Sequence, residues 1–266
     1  MEKFGEDIIV SEKENIVTLT INREDKKNTL TPNLLNDFFN AFKVIEGDMN
    51  PRVIILRGAG EKVFCAGYDI RELAVESKED FATESVRLFE SALKAVRDCS
   101  LPVIAMLNGH VVGGGLDLAV SCDFRICHPG VKLGITPARL GLVYHYSGIQ
   151  RFLNLVGLSA TRQLFLTGDL IDPEKALSIN LVDYVVKQED LEYFTYNFAS
   201  KMATQCAPIP LKGMKSVINM LTETSNLNIE EKNVALNYMK EAFFSSDVVE
   251  GITAFAEKRK PNFKGE

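Results

Sequence analysis

The chain has 266 residues, 46% hydrophobic and 25% charged, with 30 Lys and Arg against 36 Asp and Glu for a formal net charge of −6. Such a composition suits a soluble globular protein whose length allows about three quarters of its unfolded surface to be buried, and it excludes collagen-like, disordered and small disulfide-scaffold classes. A pI near 5.3 gives no electrostatic case for a nucleic-acid partner, although Lys258-Arg259-Lys260 could hold a phosphate.

The first segment, Met1-Glu2-Lys3-Phe4-Gly5-Glu6-Asp7, is acidic and lacks an apolar stretch, so it reads as neither a secretory signal nor a transit peptide, and a cytoplasmic location is expected. Ile16-Val17-Thr18-Leu19-Thr20-Ile21 is β-branched and alternating, which predicts a strand. Residues 32–46 carry Leu34, Leu35, Phe38, Phe39, Phe42 and Ile45 at helical spacing, with Thr31 as N-cap and Pro32 at the first position. Residues 52–57 read as a buried strand ending at Gly58-Ala59-Gly60. An amphipathic helix over 78–97 and a strand over 103–107 follow. A third cycle runs through a glycine turn, a short helix over 114–120 and a strand over 122–127. These repeated units predict a mostly parallel sheet with right-handed crossovers.

Beyond Tyr146, residues 150–156, 159–166 and 173–178 read as short helices, with a small strand over 182–186. From Glu189 onward the pattern is helical, and Ala207-Pro208-Ile209-Pro210 marks a boundary before a helical tail. Leu191, Phe194 and Phe198 form a stripe that belongs to the core or a subunit interface. The apolar runs Val53-Ile54-Ile55-Leu56 and Val103-Ile104-Ala105-Met106-Leu107 fall short of the roughly 18 residues a bilayer span needs, so no membrane partner is expected. Five cysteines (Cys65, Cys99, Cys122, Cys127, Cys206), with no Cys-x-x-Cys spacing, fit a reducing compartment.

The segment Asn108-Gly109-His110-Val111-Val112-Gly113-Gly114-Gly115-Leu116-Asp117 sets three consecutive glycines between a buried strand and an apolar helix. Backbone N–H groups at such a helix start are placed to receive negative charge, and no side chain blocks a close ligand. The same glycines would also serve close packing alone. Dinucleotide, P-loop, nucleophile-elbow and H-E-x-x-H motifs are absent here. A second strand-to-turn unit, Val63-Phe64-Cys65-Ala66-Gly67-Tyr68-Asp69-Ile70, can present a further N–H or be a plain turn. His110 is expected to be buried behind the glycine turn, and His128, beside Pro129-Gly130, to be a surface turn residue.

Together, V-F-x-A-G-x-D-I, a long amphipathic helix, L-P-V-I-A-x-x-N-G-x-x-x-G-G-G-x-[DE]-L and C-D-x-R-I closely resemble the crotonase superfamily, the enoyl-CoA hydratase/isomerase group. Ile21-Asn22-Arg23, Lys27-Asn28-Thr29-Leu30, Leu166-Thr167-Gly168 and Glu257-Lys258-Arg259-Lys260-Pro261-Asn262-Phe263 extend the likeness over nearly the whole chain. The resemblance implies an α/β crotonase (ClpP-like) spiral fold of repeated ββα units over residues 1–195. It also implies a C-terminal helical region over 196–266 that helps build a trimer or a dimer of trimers. The implied partner is an acyl-CoA thioester, with coenzyme A as part of the substrate and neither a separate cofactor nor a metal. Two backbone N–H groups, mapping to Tyr68 and Gly114, would hold the thioester oxygen as an enolate forms, and such preset donors are an efficient way to stabilise developing charge. Ala66, Asp69 and Ile70 would lie against adenine, with Gly67 in the same turn. Lys26 or Lys27 would lie near the nucleotide, and Phe255 and Lys258 would come from the C-terminal helix.

The chain departs from the hydratases at both catalytic carboxylates. The first maps to Asp117, one methylene shorter than a glutamate. The second falls at Pro137, within Gly134-Ile135-Thr136-Pro137-Ala138-Arg139-Leu140-Gly141, and proline cannot move a proton. Thr136, Pro137 and the following Leu142-Val143-Tyr144-His145-Tyr146 are instead similar to the methylmalonyl-CoA decarboxylases of the superfamily, in which a tyrosine matching Tyr144 is associated with the departing carboxylate. The match breaks at Tyr68, Asp117 and His145. The resemblance therefore implies decarboxylation of a methylmalonyl-type ester. The alternatives are a hydratase or isomerase that uses Asp117 with His145 or Tyr144, and a non-catalytic CoA-ester binder. The other readings are a turn cap or an arginine partner for Asp117, packing alone for Tyr144, and a structural ring rather than a base for His145.

Overall fold

The computed structural model describes residues 2–47, 51–69, 78–140, 142–223, 229–230, 233–234, 245–257, 259 and 261–266. The chain begins with three antiparallel neighbours, β1 (Glu2–Phe4), β2 (Ile8–Lys13) and β3 (Ile16–Ile21). The β2–β3 turn is made by Glu14 and Asn15, both left-handed at φ 54° and 62°, a conformation that matches the twist of a tight hairpin. Helix α1 (Pro32–Gly47) follows, and Thr31 Oγ1 accepts the Leu34 N–H at 3.3 Å, as expected of its N-cap.

From β3 the sheet continues in parallel through β4 (Val53–Gly58), β6 (Val103–Leu107), β8 (Phe124–Cys127) and β10 (Tyr184–Val185), giving seven strands in the order β1-β2-β3-β4-β6-β8-β10. The intervening short strands β5 (Val63–Cys65), β7 (His110–Val112) and β9 (Leu133–Gly134) leave this sheet and pair in parallel as a second, three-stranded one. Each turn of chain thus contributes one strand to either sheet, and helices α2 (Lys78–Asp98) and α3 (Gly114–Val120) carry it to the next turn. This is the ββα spiral that the resemblance implies. Strand periodicity alone predicts one sheet, because segments of two or three residues carry too little alternation to declare a second.

The central strands are buried on both faces, so Val53-Ile54-Ile55-Leu56 is an unbroken apolar run. Alternation divides it: Ile54 and Leu56 join Val17, Leu19, Phe38 and Phe42 in the main core, whereas Val53 and Ile55 face Ile104, Met106, Ile126 and Leu191 in a second cluster. Helix α6 (Leu191–Gln205) covers that second face through Leu191 and Ala199, with Phe194 and Phe198 packed beside them, so the predicted stripe is core within this chain.

Helix α4 (Tyr146–Arg162) starts four residues before the predicted 150, is interrupted at Gly157 (φ 74°, ψ 174°) and passes into a wider turn over Gln163–Thr167. Helix α5 (Pro173–Ser178) has the predicted bounds. Pro208 opens α7 (Pro208–Glu223) directly after α6, and α6 itself is continuous across residue 195. The last helix, α8 (Ser246–Glu257), is clasped by the end of the chain, where the Lys264 and Gly265 N–H groups donate to Asp247 at 2.7 and 2.8 Å.

Two histidine expectations are reversed. His110 is exposed, because the first residue of β7 faces outward; its Nδ1 accepts the Lys132 N–H at 3.0 Å. His128 is buried, folded back so that Nδ1 accepts the Gly130 N–H at 3.2 Å, and burial lowers its pKa.

Candidate active site

Two turns from different layers of the spiral meet at the start of α3. Residues 66–69 leave β5 with Gly67 in the left-handed region (φ 92°), and the turn is braced against the segment before α1. The Leu30 N–H donates to Gly67 O, and the Asp69 N–H to Leu30 O, both at 2.8 Å. A Cβ on Gly67 would lie 2.9 Å from Val112 O and 3.1 Å from Gly114 N, so only glycine lets this turn approach the other so closely. The second turn is fixed by Gly113, whose N–H donates to Gly134 O at 2.8 Å, and α3 opens at Gly114. A Cβ built on Gly114 would lie 3.6 Å from Tyr68 N and 3.2 Å from Phe89 Cζ. The Tyr68 and Gly114 amides therefore border one small space, walled by the Phe89 ring of α2. Gly115 presses α3 on β5, because its Cβ would fall 2.7 Å from that of Cys65.

Asp117, one turn into α3, is completely buried. Arg151 of α4 forks onto it, Nε to Oδ1 and Nη2 to Oδ2, each at 2.8 Å, and the Tyr144 hydroxyl donates to Oδ2 at 2.9 Å. The same guanidinium holds Glu90 of α2 with two bonds of 2.9 Å. Ser147 Oγ donates to Glu90 at 2.6 Å and lies 2.7 Å from His145 Nδ1. Three helices and the 144–147 segment thus share one hydrogen-bonded network around Arg151.

The charges follow from this geometry. Burial, the negative Asp117 and the hydrogen bond to it raise the Tyr144 phenol well above its ordinary value, so it stays protonated. Burial works to raise the Glu90 carboxyl, but hydrogen bonds from Arg151 and Ser147 outweigh it and leave the group below its usual value. Arg151 is desolvated yet driven further toward the charged form by its two carboxylates.

The structure brings Tyr68, Gly67 and Gly114 together, and it links Asp117, Tyr144 and His145. Among the alternatives for Asp117, the arginine partner is the one observed. Thr136 and Pro137 begin the short turn before Tyr144, where the Thr136 carbonyl accepts the Arg139 N–H at 3.0 Å. Asp69 is buried, its Oδ2 accepting from Thr29 Oγ1 at 3.4 Å, so its side chain faces the segment before α1 and not an open wall. Ala66 is half-buried, and its N–H donates to Lys27 O at 3.1 Å. Lys26 is exposed, paired with Asp25 at 3.3 Å. Ile70, Lys258 and the side chain of Phe255 lie outside the described residues. Among the described residues no group of three or more His, Cys, Asp or Glu could hold a metal.

Phe89, Glu90, Ser147 and Arg151 are absent from the sequence-based site. The available signal is weak: a charged residue beside the apolar stripe of each of two amphipathic helices, with nothing to say that the two meet.

A ββα spiral that sets amides from two successive turns side by side at a helix start defines a crotonase-type protein. A profile of the enoyl-CoA hydratase/isomerase family matches residues 11–266, and the chain belongs to that family, whose members are acyl-CoA enzymes. The family protein YngF of Bacillus subtilis is 33% identical over 266 residues, covering 98% of this chain and 100% of YngF. A methylmalonyl-CoA decarboxylase of Escherichia coli is 30% identical over 254 residues, covering 94% and 95%. The crystal structure of an enoyl-CoA hydratase from Bacillus anthracis superposes with a TM-score of 0.90 at 33% identity, covering 98% of this chain and all of the other. No helix among the described residues is long and apolar enough to cross a membrane.

Proposed function

We propose that the protein decarboxylates a small malonyl-type CoA thioester, with methylmalonyl-CoA as the representative substrate. The observation that carries this reading is the state of position 117: a carboxylate with both oxygens held by Arg151 and a further bond from Tyr144, while position 137 is a proline. Adding water to an enoyl thioester by paired carboxylates needs two groups free to exchange protons with that water. Here one is engaged and the other is missing.

Decarboxylation needs no base to begin. The bond between Cα and the carboxylate breaks, CO2 leaves, and the electron pair enters the thioester as an enolate whose oxygen charge falls between the Tyr68 and Gly114 amides. Preset donors of this kind contribute roughly a hundred- to a thousand-fold in rate each. A proton then goes to Cα, giving an acyl-CoA one carbon shorter. Tyr144 is protonated, and its single O–H, held by Asp117 in the free protein, can turn to the substrate carboxylate and orient it, while a water supplies the proton to Cα. Arg151 lies between Asp117 and Glu90 and offsets one of their two charges, which lessens their repulsion of an anionic substrate. Coenzyme A enters with the substrate along the 66–69 turn, toward Lys26 and the C-terminal helix. Assembly as a trimer or a dimer of trimers accompanies this reading.

A second reading is a hydratase or isomerase that uses His145, favoured by its partly exposed ring beside Ser147 and 3.7 Å from Glu90. Parallel incubation with methylmalonyl-CoA and crotonyl-CoA decides between them. Release of CO2 without hydration is the expected result. Hydration alone overturns the proposal, and tight binding of both esters without turnover identifies a non-catalytic binder.

A further inference from the structure

The Arg151 side chain is only 8% exposed, and four of its bonds go to two carboxylates. A guanidinium is rigid and planar, so bonds on two edges fix the orientation of everything they touch. On one edge it holds both oxygens of Asp117. On the other it holds both oxygens of Glu90, which is itself pinned by Ser147 at 2.6 Å. The Tyr144 hydroxyl ends the chain on Asp117 Oδ2, and Gly148 leaves the room for its ring: a Cβ there would lie 2.8 Å from Tyr144 Cδ1. Asp117 can set the direction of the phenol only as firmly as Arg151 sets Asp117.

We propose that Arg151, braced by Glu90, is the positioning residue of this site: it fixes Asp117 as a hydrogen-bond acceptor and through it holds the Tyr144 hydroxyl at the place from which it can turn to the acyl group. The inference rests on the reading above, in which Tyr144 acts on the substrate. It makes Arg151 a residue that works through another, with no contact to the reacting atoms of its own.

The test is a double-mutant cycle on methylmalonyl-CoA decarboxylation combined with a readout that needs no turnover. Arg151→Gln should lower kcat by about tenfold or more, as loss of orientation does, with KM changed by less than about twofold. The same change in a Tyr144→Phe background should lower kcat no further, and Arg151→Lys should recover part of the loss. Equal losses in both backgrounds would overturn the proposal. In parallel, the full chain is labelled with 3-fluorotyrosine, and the Tyr144 resonance is assigned by its disappearance in Tyr144→Phe. That resonance should shift or broaden in Arg151→Gln and, to a lesser degree, in Glu90→Gln. The Glu90 variant keeps the Asp117 pair and serves if the arginine variant does not fold. An unmoved resonance overturns the positioning role. If wild-type protein releases no CO2, the functional reading fails by itself and the fluorine spectrum still decides the positioning role.

Discussion

Replacing Asp117 by Asn distinguishes a carboxylate that anchors from one that transfers protons. The side chain is fully buried and accepts three hydrogen bonds, two of 2.8 Å from Arg151 and one of 2.9 Å from Tyr144. Asparagine preserves the shape but offers one oxygen in place of two, and its NH2 must face a donor. Hydrogen bonds to a charged group contribute about 1.5–3 kcal/mol, and breaking a buried ion pair costs about 3–5 kcal/mol. Glu90 still balances Arg151, so the lower end, about 3 kcal/mol, is expected. For a chain near this size that corresponds to a fall in Tm of roughly 6–12 °C. A free general base behaves differently. Its loss costs about 10²–10⁴ in rate, whereas removing an unpaired buried charge leaves stability unchanged or raised. Thermal unfolding of wild type and Asp117→Asn at matched protein concentration and pH 7, with CO2 release measured on the same samples, separates the two. An undiminished Tm with turnover abolished would refute the anchoring role.

Gly148→Ala should disable the site while sparing the fold, because its Cβ would fall 2.8 Å from Tyr144 Cδ1 and 2.9 Å from Asp117 Oδ2; turnover should drop by about tenfold or more with a native circular dichroism spectrum, and full activity would contradict the placement of the ring. Cys65, Cys99, Cys122 and Cys127 are buried, and burial pushes each thiol up to about 12, so a disulfide reagent at pH 8 should react quickly with Cys206 alone and with all five only after denaturation. Two or more fast thiols in native protein would count against this core. Glu90 titrates below its ordinary value of 4.5 when folded, so its share of stability is complete above that value and is lost as the pH falls through the folded one. Acidification from pH 7 to about 3.5 should therefore lower the Tm of wild type more than that of Glu90→Gln, and parallel curves would reject the ion pair.

What could be read from the letters is what local pattern encodes. The helix over 114–120 has the bounds read from its glycine start and apolar face, and α5 is equally clear from Pro173. The 78–97 helix needs one further residue; the strands over 16–21 and 103–107 have the predicted bounds, whereas β4 is shifted by one residue and β8 starts two residues later. Strands β1, β2, β7 and β9 went unread, β1, β7 and β9 because two or three residues show too little alternation. The amides of residues 68 and 114 entered through the resemblance, since periodicity gives each turn alone and never their distance. Arg151 and Glu90 lie 61 positions apart, and Arg151 and Asp117 lie 34 apart. Each looks like an ordinary charge on an amphipathic helix until α2, α3 and α4 pack. The two histidines were misplaced for the same reason: whether a ring faces the core depends on strand phase at His110 and on a side-chain bond to Gly130 at His128, neither of which composition reveals.

The division of labour in this site follows from which atoms do which task. In the proposed reaction the oxyanion donors are backbone N–H groups, set by Gly67, Gly113 and the pairing of two turns, so they persist whatever side chains surround them. Choice of reaction is left to the side chains of α2, α3 and the 144–151 segment. There the short arm of Asp117 matters. With one methylene its carboxylate stays close to α3, within reach of both the Arg151 fork and the Tyr144 hydroxyl. A glutamate would extend further toward the space that Tyr144 occupies, while a carboxylate at 137 would add charge opposite the anionic substrate proposed above. Asp117, Pro137 and Tyr144 therefore form a set consistent with the proposed loss of CO2: one carboxylate is held by Arg151 and the other is missing, so neither is free for the proton transfers that water addition by paired carboxylates requires.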